Sequence, residues 1–236
     1  MSTFHTLIYE KHDSIAYVTL DRPKVLNAYN IQMRDELYQI LSAIKDDPDV
    51  MCVIFKGRGE KAFCAGADLT EFLTAPSPTI ARQVRFERDV WGLFLSVPQP
   101  VIVALHGYVL GDGLEIALCC DIRIAADDAK FGMPELGLGI IPAAGGTQTI
   151  PRTVGRAKAF EMVYTGRLIN AEEAYRIRLV NRVVPRDRLL ATADGIAMRI
   201  ASYDRKAVRK VKEAVVRGLD MPLITGLELE RRLAGV

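Results

Sequence analysis

LHGYVLGDGLEIALCCDIRIAADDAKFGMPE, residues 105–135, gathers glycines, a helix start and two acids into one short stretch. The apolar run 101–105 leads into it after Pro98 and Pro100. An unbroken apolar run of that length predicts a strand covered on both faces. Gly107, Gly111 and Gly113 then permit close backbone approach and a tight turn, and Leu114, Ala117 and Leu118 recur at helical spacing. A strand that breaks through glycines into a helix leaves first-turn N–H groups unpaired, and these donors favour negative charge. Glu115 lies in that first turn, and Glu135 follows a second glycine turn, Phe131-Gly132-Met133-Pro134. The pattern predicts two carboxyls at one anion-stabilising corner. Taken alone, an exposed first-turn glutamate is more often a solvated residue than a catalytic one.

Length and composition set the frame. A chain of 236 residues, half of them apolar and a quarter charged, matches a folded α/β body with a small appendage. The net charge of +2 points to no polyanionic partner. No run of about 18 apolar residues spans a bilayer, and MSTFHTLIYEKHDS lacks an apolar signal core, so the cytoplasm is the expected location. Cys52, Cys64, Cys119 and Cys120 form no CxxC pair and sit in apolar or glycine-rich surroundings, which predicts buried, reduced thiols.

From the N-terminus, Ile15–Leu20 reads as a strand ended by Asp21-Arg22-Pro23. Asn30 reads as the N-cap of a helix whose Leu37, Ile40, Leu41 and Ile44 line one face and which stops at Asp47-Pro48. Residues 50–56 predict a second covered strand. Ala65-Gly66-Ala67 is small enough for a ligand to approach, and Asp68 can cap the next turn of chain. Ala75-Pro76-Ser77-Pro78 predicts a loop before a helix carrying Ile80, Val84, Trp91 and Phe94. Residues 140–147 form another glycine-rich turn opening a short helix, 155–164 a helix, Asn170 a further helix start, and 179–184 a short strand. Beyond Asp187 the periodicity is helical throughout. Strand, strand, helix recurs loosely over the first 180 or so residues, and the change near residue 186 divides an α/β body, 1–186, from a helical tail, 187–236.

Other chemistries find little support. No Lys-Ser/Thr follows the glycines as in a phosphate-binding loop, and no GxGxxG follows a strand. The histidines are His5, His12 and His106, no GxSxG elbow exists, and His106 reads as a structural residue rather than a base. No metal-ligand cluster is visible, so no metal is expected.

PKVLNAYN, KAFCAGADLTEF and HGYVLGDGLEIALCCDIRIAADDAKFGMPELGLGIIPAAGGTQ together resemble the crotonase, or enoyl-CoA hydratase/isomerase, superfamily, closest to its two-glutamate hydratases. The blocks fall in family order over nearly the whole chain, with the acids 20 residues apart. The resemblance implies an α/β spiral of repeated ββα units holding an acyl-CoA site in 1–186, and a C-terminal helical region that oligomerises. It implies a homotrimer or hexamer. The oxyanion hole falls on the backbone N–H groups of Ala67 and Asp112. Glu115 is expected to take the proton of a water attacking C3 of a 2-enoyl-CoA, and Glu135 to protonate C2. Lys24, Leu26, Ala65 and Asp68 are expected around coenzyme A, with Gly111 and Ala143 also at the substrate. No separate cofactor is implied, because coenzyme A arrives as part of the substrate. Two other readings stand within the resemblance. One is a double-bond isomerase relying mainly on Glu135; the other is an RNA-binding member using Arg205, Lys206, Arg209, Lys210 and Lys212, a run that more simply is a solvated face. Nucleic acid is therefore not the expected partner. The chain departs from the family at Gly111-Asp112-Gly113, where three small residues are usual, at Ala143, where glycine is frequent, and in ending about one helix short. Only the N–H of Asp112 is required, so its side chain is expected to turn outward or cap the helix start.

Overall fold

The structure is a computed structural model describing residues 4–73 and 88–235. Its strands and helices alternate in a repeating order. A hairpin of β1 (Leu7–His12) and β2 (Ile15–Leu20) precedes α1 (Ile31–Asp46). Next come β3 (Cys52–Gly57), β4 (Ala62–Cys64) and α2 (Val90–Ser96), then β5 (Val101–Leu105), β6 (Tyr108–Leu110) and α3 (Asp112–Leu118). The third round has β7 (Ile122–Ala126) and β8 (Lys130–Gly132), followed by α4 (Gly146–Val154) and α5 (Arg156–Thr165). The chain continues through β9 (Ile169–Asn170), α6 (Ala171–Arg176) and β10 (Arg182–Val184) to α7 (Leu189–Ala201), α8 (Arg205–Gly218) and α9 (Leu223–Ala234).

The two strands of each round enter different sheets. A six-stranded sheet runs β1-β2-β3-β5-β7-β10, and a four-stranded one runs β4-β6-β8-β9. From β2 to β10 the large sheet is parallel, and β4, β6 and β8 stack in parallel in the small one. Each ββα unit therefore advances both sheets by one strand, which is the architecture the resemblance implies. The apolar runs explain the large sheet: Val101–Leu105 is buried along its whole length. Asn30 caps α1 by accepting from the Met33 N–H at 2.9 Å, and Met33, Leu37, Ile40, Leu41 and Ile44 form its buried face.

Several boundaries differ from the sequence reading. The strand expected over 179–184 shortens to Arg182–Val184, because the N–H groups of Leu179 and Val180 both turn back to the Ala174 carbonyl. The strand expected over 50–56 begins at Cys52. Trp91 and Phe94 lie on α2, whereas the loop 75–78, Ile80 and Val84 fall outside the described residues. The apolar face of α7 is used inside the chain. Leu189, Ala193 and Ala197 pack with Ile15, Cys52, Ile54, Ile102 and Ile124, and Ile196 and Ile200 lie against that cluster, covering the second face of the large sheet. Among the described residues no helix is long and apolar enough to cross a membrane.

Candidate active site

The site forms where two rounds of the spiral meet. At the end of β4 the chain passes through Ala65-Gly66-Ala67. Tyr29 donates its N–H to the Gly66 carbonyl and accepts from the Asp68 N–H, each at 2.8 Å. In this parallel bridge the N–H of Ala67 faces away from Tyr29. The next round contributes α3. Gly111 precedes it at φ 50°, ψ −124°, and a β-carbon there would come within 2.6 Å of Glu135 Oε1. Glycine is needed for both the conformation and the space. A β-carbon on Gly113 would lie 2.4 Å from the Cys64 carbonyl oxygen, so α3 rests directly on β4, and Asp112 and Ala67 line one cavity. A cavity of about 590 Å³ opens there, lined by Tyr29, Ala67, Trp91, Asp112, Glu115, Glu135, Ile140, Ile141, Ala143 and Ala144, among others.

Besides Asp89 on the rim, three carboxyls face this cavity. Glu115 is 1% exposed, and its Oε1 accepts from the N–H groups of Ala144 at 3.0 Å and Gly146 at 2.6 Å. These donors open the α4 turn and are not singled out by the sequence reading; the signal lies in AAGG, where backbone alone can approach. Ala143, which is singled out there, lines the cavity. Glu135 has one carboxylate oxygen against Gly111 and the other buried with no hydrogen-bond partner. The third carboxyl corrects the sequence reading. Asp112 neither turns outward nor caps the helix start, which has no side-chain cap. It lines the cavity together with Glu115, which lies one helical turn on. Burial raises all three above the ordinary carboxylate range. The charge of Asp112 raises Glu115 further, and that of Glu115 raises Glu135.

The remaining candidates scatter around this centre. Leu26 accepts the Ala65 N–H at 3.0 Å, joining the two loops behind the cavity wall without lining it. Asp68 caps the turn after it through Thr70 and pairs with Arg22 at 2.9 Å. Lys24 is exposed and lines a separate hollow with Arg22 and Arg58. Of the basic run, Lys212 pairs with Asp121 at 2.7 Å, Arg209 reaches the Val50 carbonyl, and Arg205 lies 3.9 Å from Asp49. Burial lowers the His106 imidazole to about 4, so it is neutral, and it stands apart from the cavity. All four cysteines are buried and free. Among the described residues no cluster of three ligands is placed to hold a metal. Trp91 also lines the cavity, as does Tyr29, whose buried hydroxyl has no partner and which the sequence reading does not mark.

Known proteins resemble this chain over almost its full length. The chain is 42% identical to a crotonyl-CoA hydratase from Syntrophomonas wolfei, over 99% of its own length and 90% of the relative's. It is 41% identical to a short-chain-enoyl-CoA hydratase from Clostridium acetobutylicum, covering 98% and 88%. The crystal structure of an enoyl-CoA hydratase from Bacillus anthracis superposes with a TM-score of 0.93 at 40% identity, covering 98% of this chain and 90% of that one. The profile of the enoyl-CoA hydratase/isomerase family matches residues 10–235, and the chain belongs to that family.

Proposed function

We propose that the chain hydrates 2-enoyl-CoA thioesters. The observation that carries this reading is the convergence of Glu115 and Glu135 on one cavity whose wall includes Ala67 and Asp112. In the proposed reaction a water oxygen bonds to C3 while its proton passes to Glu115. The C2–C3 π electrons move toward the thioester oxygen, where the N–H groups of Ala67 and Asp112 hold the developing enolate. Glu135, whose proton affinity burial raises, then gives its proton to C2, and the enolate electrons form the new C–H bond. Net addition of water leaves Glu115 protonated and Glu135 ionised, and proton exchange resets them. The acyl group lies along Gly111, Ala143 and the apolar wall of Ile140, Ile141 and Trp91. Coenzyme A enters as part of the substrate and no further cofactor takes part. Leu26, Ala65 and Asp68 shape its binding loop, and the basic hollow at Lys24 suits its phosphates.

Purified protein with crotonyl-CoA is expected to remove the conjugated-thioester absorbance. Glu115→Gln and Glu135→Gln should each slow this by about 100-fold or more, the usual contribution of an acid or base. Absence of turnover with every enoyl-CoA tried overturns the reading. The unpartnered oxygen of Glu135 also suits a proton shuttle; conversion of a 3-enoyl-CoA that survives Glu115→Gln would identify an isomerase instead. The RNA-binding reading has less support, since Arg205, Arg209 and Lys212 turn back toward the body of the chain. A homotrimer or hexamer is part of the proposal. The cytoplasm is also proposed as its place, consistent with four unpaired thiols.

A further inference from the structure

The apolar wall of the active-site cavity is shared with a second space. Ile141 lines the cavity, and it also lines a hollow of about 370 Å³ that the same loop forms against α4 and α5. Gly146 touches both. It lines the hollow, and its N–H lies 2.6 Å from Glu115 Oε1. A β-carbon on Gly146 would meet Glu115 Oε1 at 2.7 Å and the Pro142 β-carbon at 3.0 Å, so a single thickness of backbone separates Glu115 from the hollow.

The chemistry of the hollow suits a hydrocarbon. Leu136, Pro142, Pro151 and Val163 line it, and Phe160 and Tyr164 form one side as a stacked pair with centroids 5.0 Å apart and planes at 24°. Among the described residues lining it none is acidic, and the Arg156 guanidinium lies over the Phe160 ring, 5.4 Å from its centroid. A strongly hydrated ligand would give up water there for few partners. A methylene chain has no such loss, and it covers apolar surface that stands open, since Ile141 is 64% and Phe160 42% exposed. Continuity with the cavity decides which chain arrives. In the proposed reaction the thioester oxygen is held at Ala67 and Asp112 and C3 faces Glu115. Carbons beyond C3 then leave on the side of the loop whose Ala144 and Gly146 N–H groups hold Glu115. Ile140 and Ile141 are the apolar wall there, and Ile141 is also a wall of the hollow.

We propose that the hollow takes the distal methylenes of the acyl group and that Ile141, standing between it and the reacting carbons, is a specificity-determining residue. The favoured substrates are then unbranched 2-enoyl-CoA thioesters longer than crotonyl-CoA. This inference rests on the hydratase reading for the direction in which the chain leaves C3, though not for the affinity of the hollow for acyl chains.

Saturated acyl-CoA thioesters test the hollow without chemistry. Calorimetric titration with butyryl-, hexanoyl-, octanoyl- and decanoyl-CoA is expected to give a Kd that falls about twofold or more for each added methylene, short of the roughly fourfold of complete burial. The kcat/KM for crotonyl-, hexenoyl-, octenoyl- and decenoyl-CoA should rise in parallel. Most of that rise should lie in KM, because distal contacts hold substrate and transition state alike. Val163→Trp fills the hollow from α5, and Ile141→Trp narrows the way into it. Each should lower the decenoyl-to-crotonyl ratio of kcat/KM by about 10-fold or more, a ratio that does not depend on the fraction of protein folded. Ile141→Ala leaves the way open and should keep the ratio. The inference is overturned if wild-type affinity is flat or declines beyond butyryl-CoA, or if the ratio survives both tryptophan variants. A reduced mass of Val163→Trp by light scattering with the ratio intact would assign the hollow to a second copy of the chain, and overturns it too. Failure to turn over any enoyl-CoA removes the hydratase reading, while the saturated series still decides whether the hollow takes acyl chains.

Discussion

Glu115 is held by two opposing influences, burial to 1% exposure and the N–H groups of Ala144 and Gly146. Burial prevails, assisted by the charge of Asp112, and both carboxyls bind protons more tightly in the folded chain than in the unfolded one. Raised carboxyls contribute stability at low pH, and the contribution declines as pH climbs from the ordinary carboxylate range through their raised values. Glu115→Gln removes one acid and relieves the other of a charged neighbour. The variant is therefore expected to gain stability over wild type as pH rises through that window, by up to about 1.4 kcal/mol per pH unit, and then level off. Denaturant unfolding at several pH values measures the gap. A gap independent of pH would mean that folding does not raise the proton affinity of Glu115. A site that loses activity while gaining stability on substitution carries strain for the sake of its chemistry.

At the level of elements, the loop between β2 and α1 is fastened to the β3–β4 turn by one side chain. Asn27 is fully buried at φ 56°, accepts from the Arg22 N–H at 2.9 Å, and donates to the carbonyls of Arg58 at 2.9 Å and Ala62 at 3.0 Å. A β-carbon on Gly57 would lie 3.1 Å from its amide nitrogen, so the loops meet without spare room. Asn27→Ala leaves one buried and two partly buried backbone groups without these bonds and places alanine at positive φ. Its expected cost is roughly 3 kcal/mol or more, measured as a shift in denaturation midpoint. A loss under about 0.5 kcal/mol would show that water replaces all three bonds. Caps such as Asn30 and Asn170 are readable in the sequence because each accepts from an N–H three residues away. Asn27 is not, since its partners arrive from 31 and 35 residues further on. Strands β4, β6 and β8 escape for a similar reason: three residues cannot display an alternation.

On the scale of the whole molecule, the covered strands, the glycine breaks and the two glutamates are legible because burial on both faces and tight turns restrict residue type severely. The direction of the Asp112 side chain is not, because a first-turn residue can face solvent or a cavity with the same sequence around it. The partner of an apolar stripe is equally hidden. The stripe of Leu189, Ile196 and Ile200 covers the large sheet of its own chain. Exposed apolar side chains occur elsewhere, at Val211 and Val215 on α8 and at Leu219, Leu223 and Ile224 where α8 passes to α9. These residues support the proposed assembly, and light scattering at micromolar concentration is expected to give the mass of a trimer or hexamer. A monomer would reject it. Trp91 is the single tryptophan of the chain, half-buried in the cavity wall with its ring 5.8 Å from that of Tyr29. The intrinsic fluorescence of this protein consequently originates from one indole at the substrate's door, so its emission reports occupancy of the site without any label, even in a variant that has lost turnover.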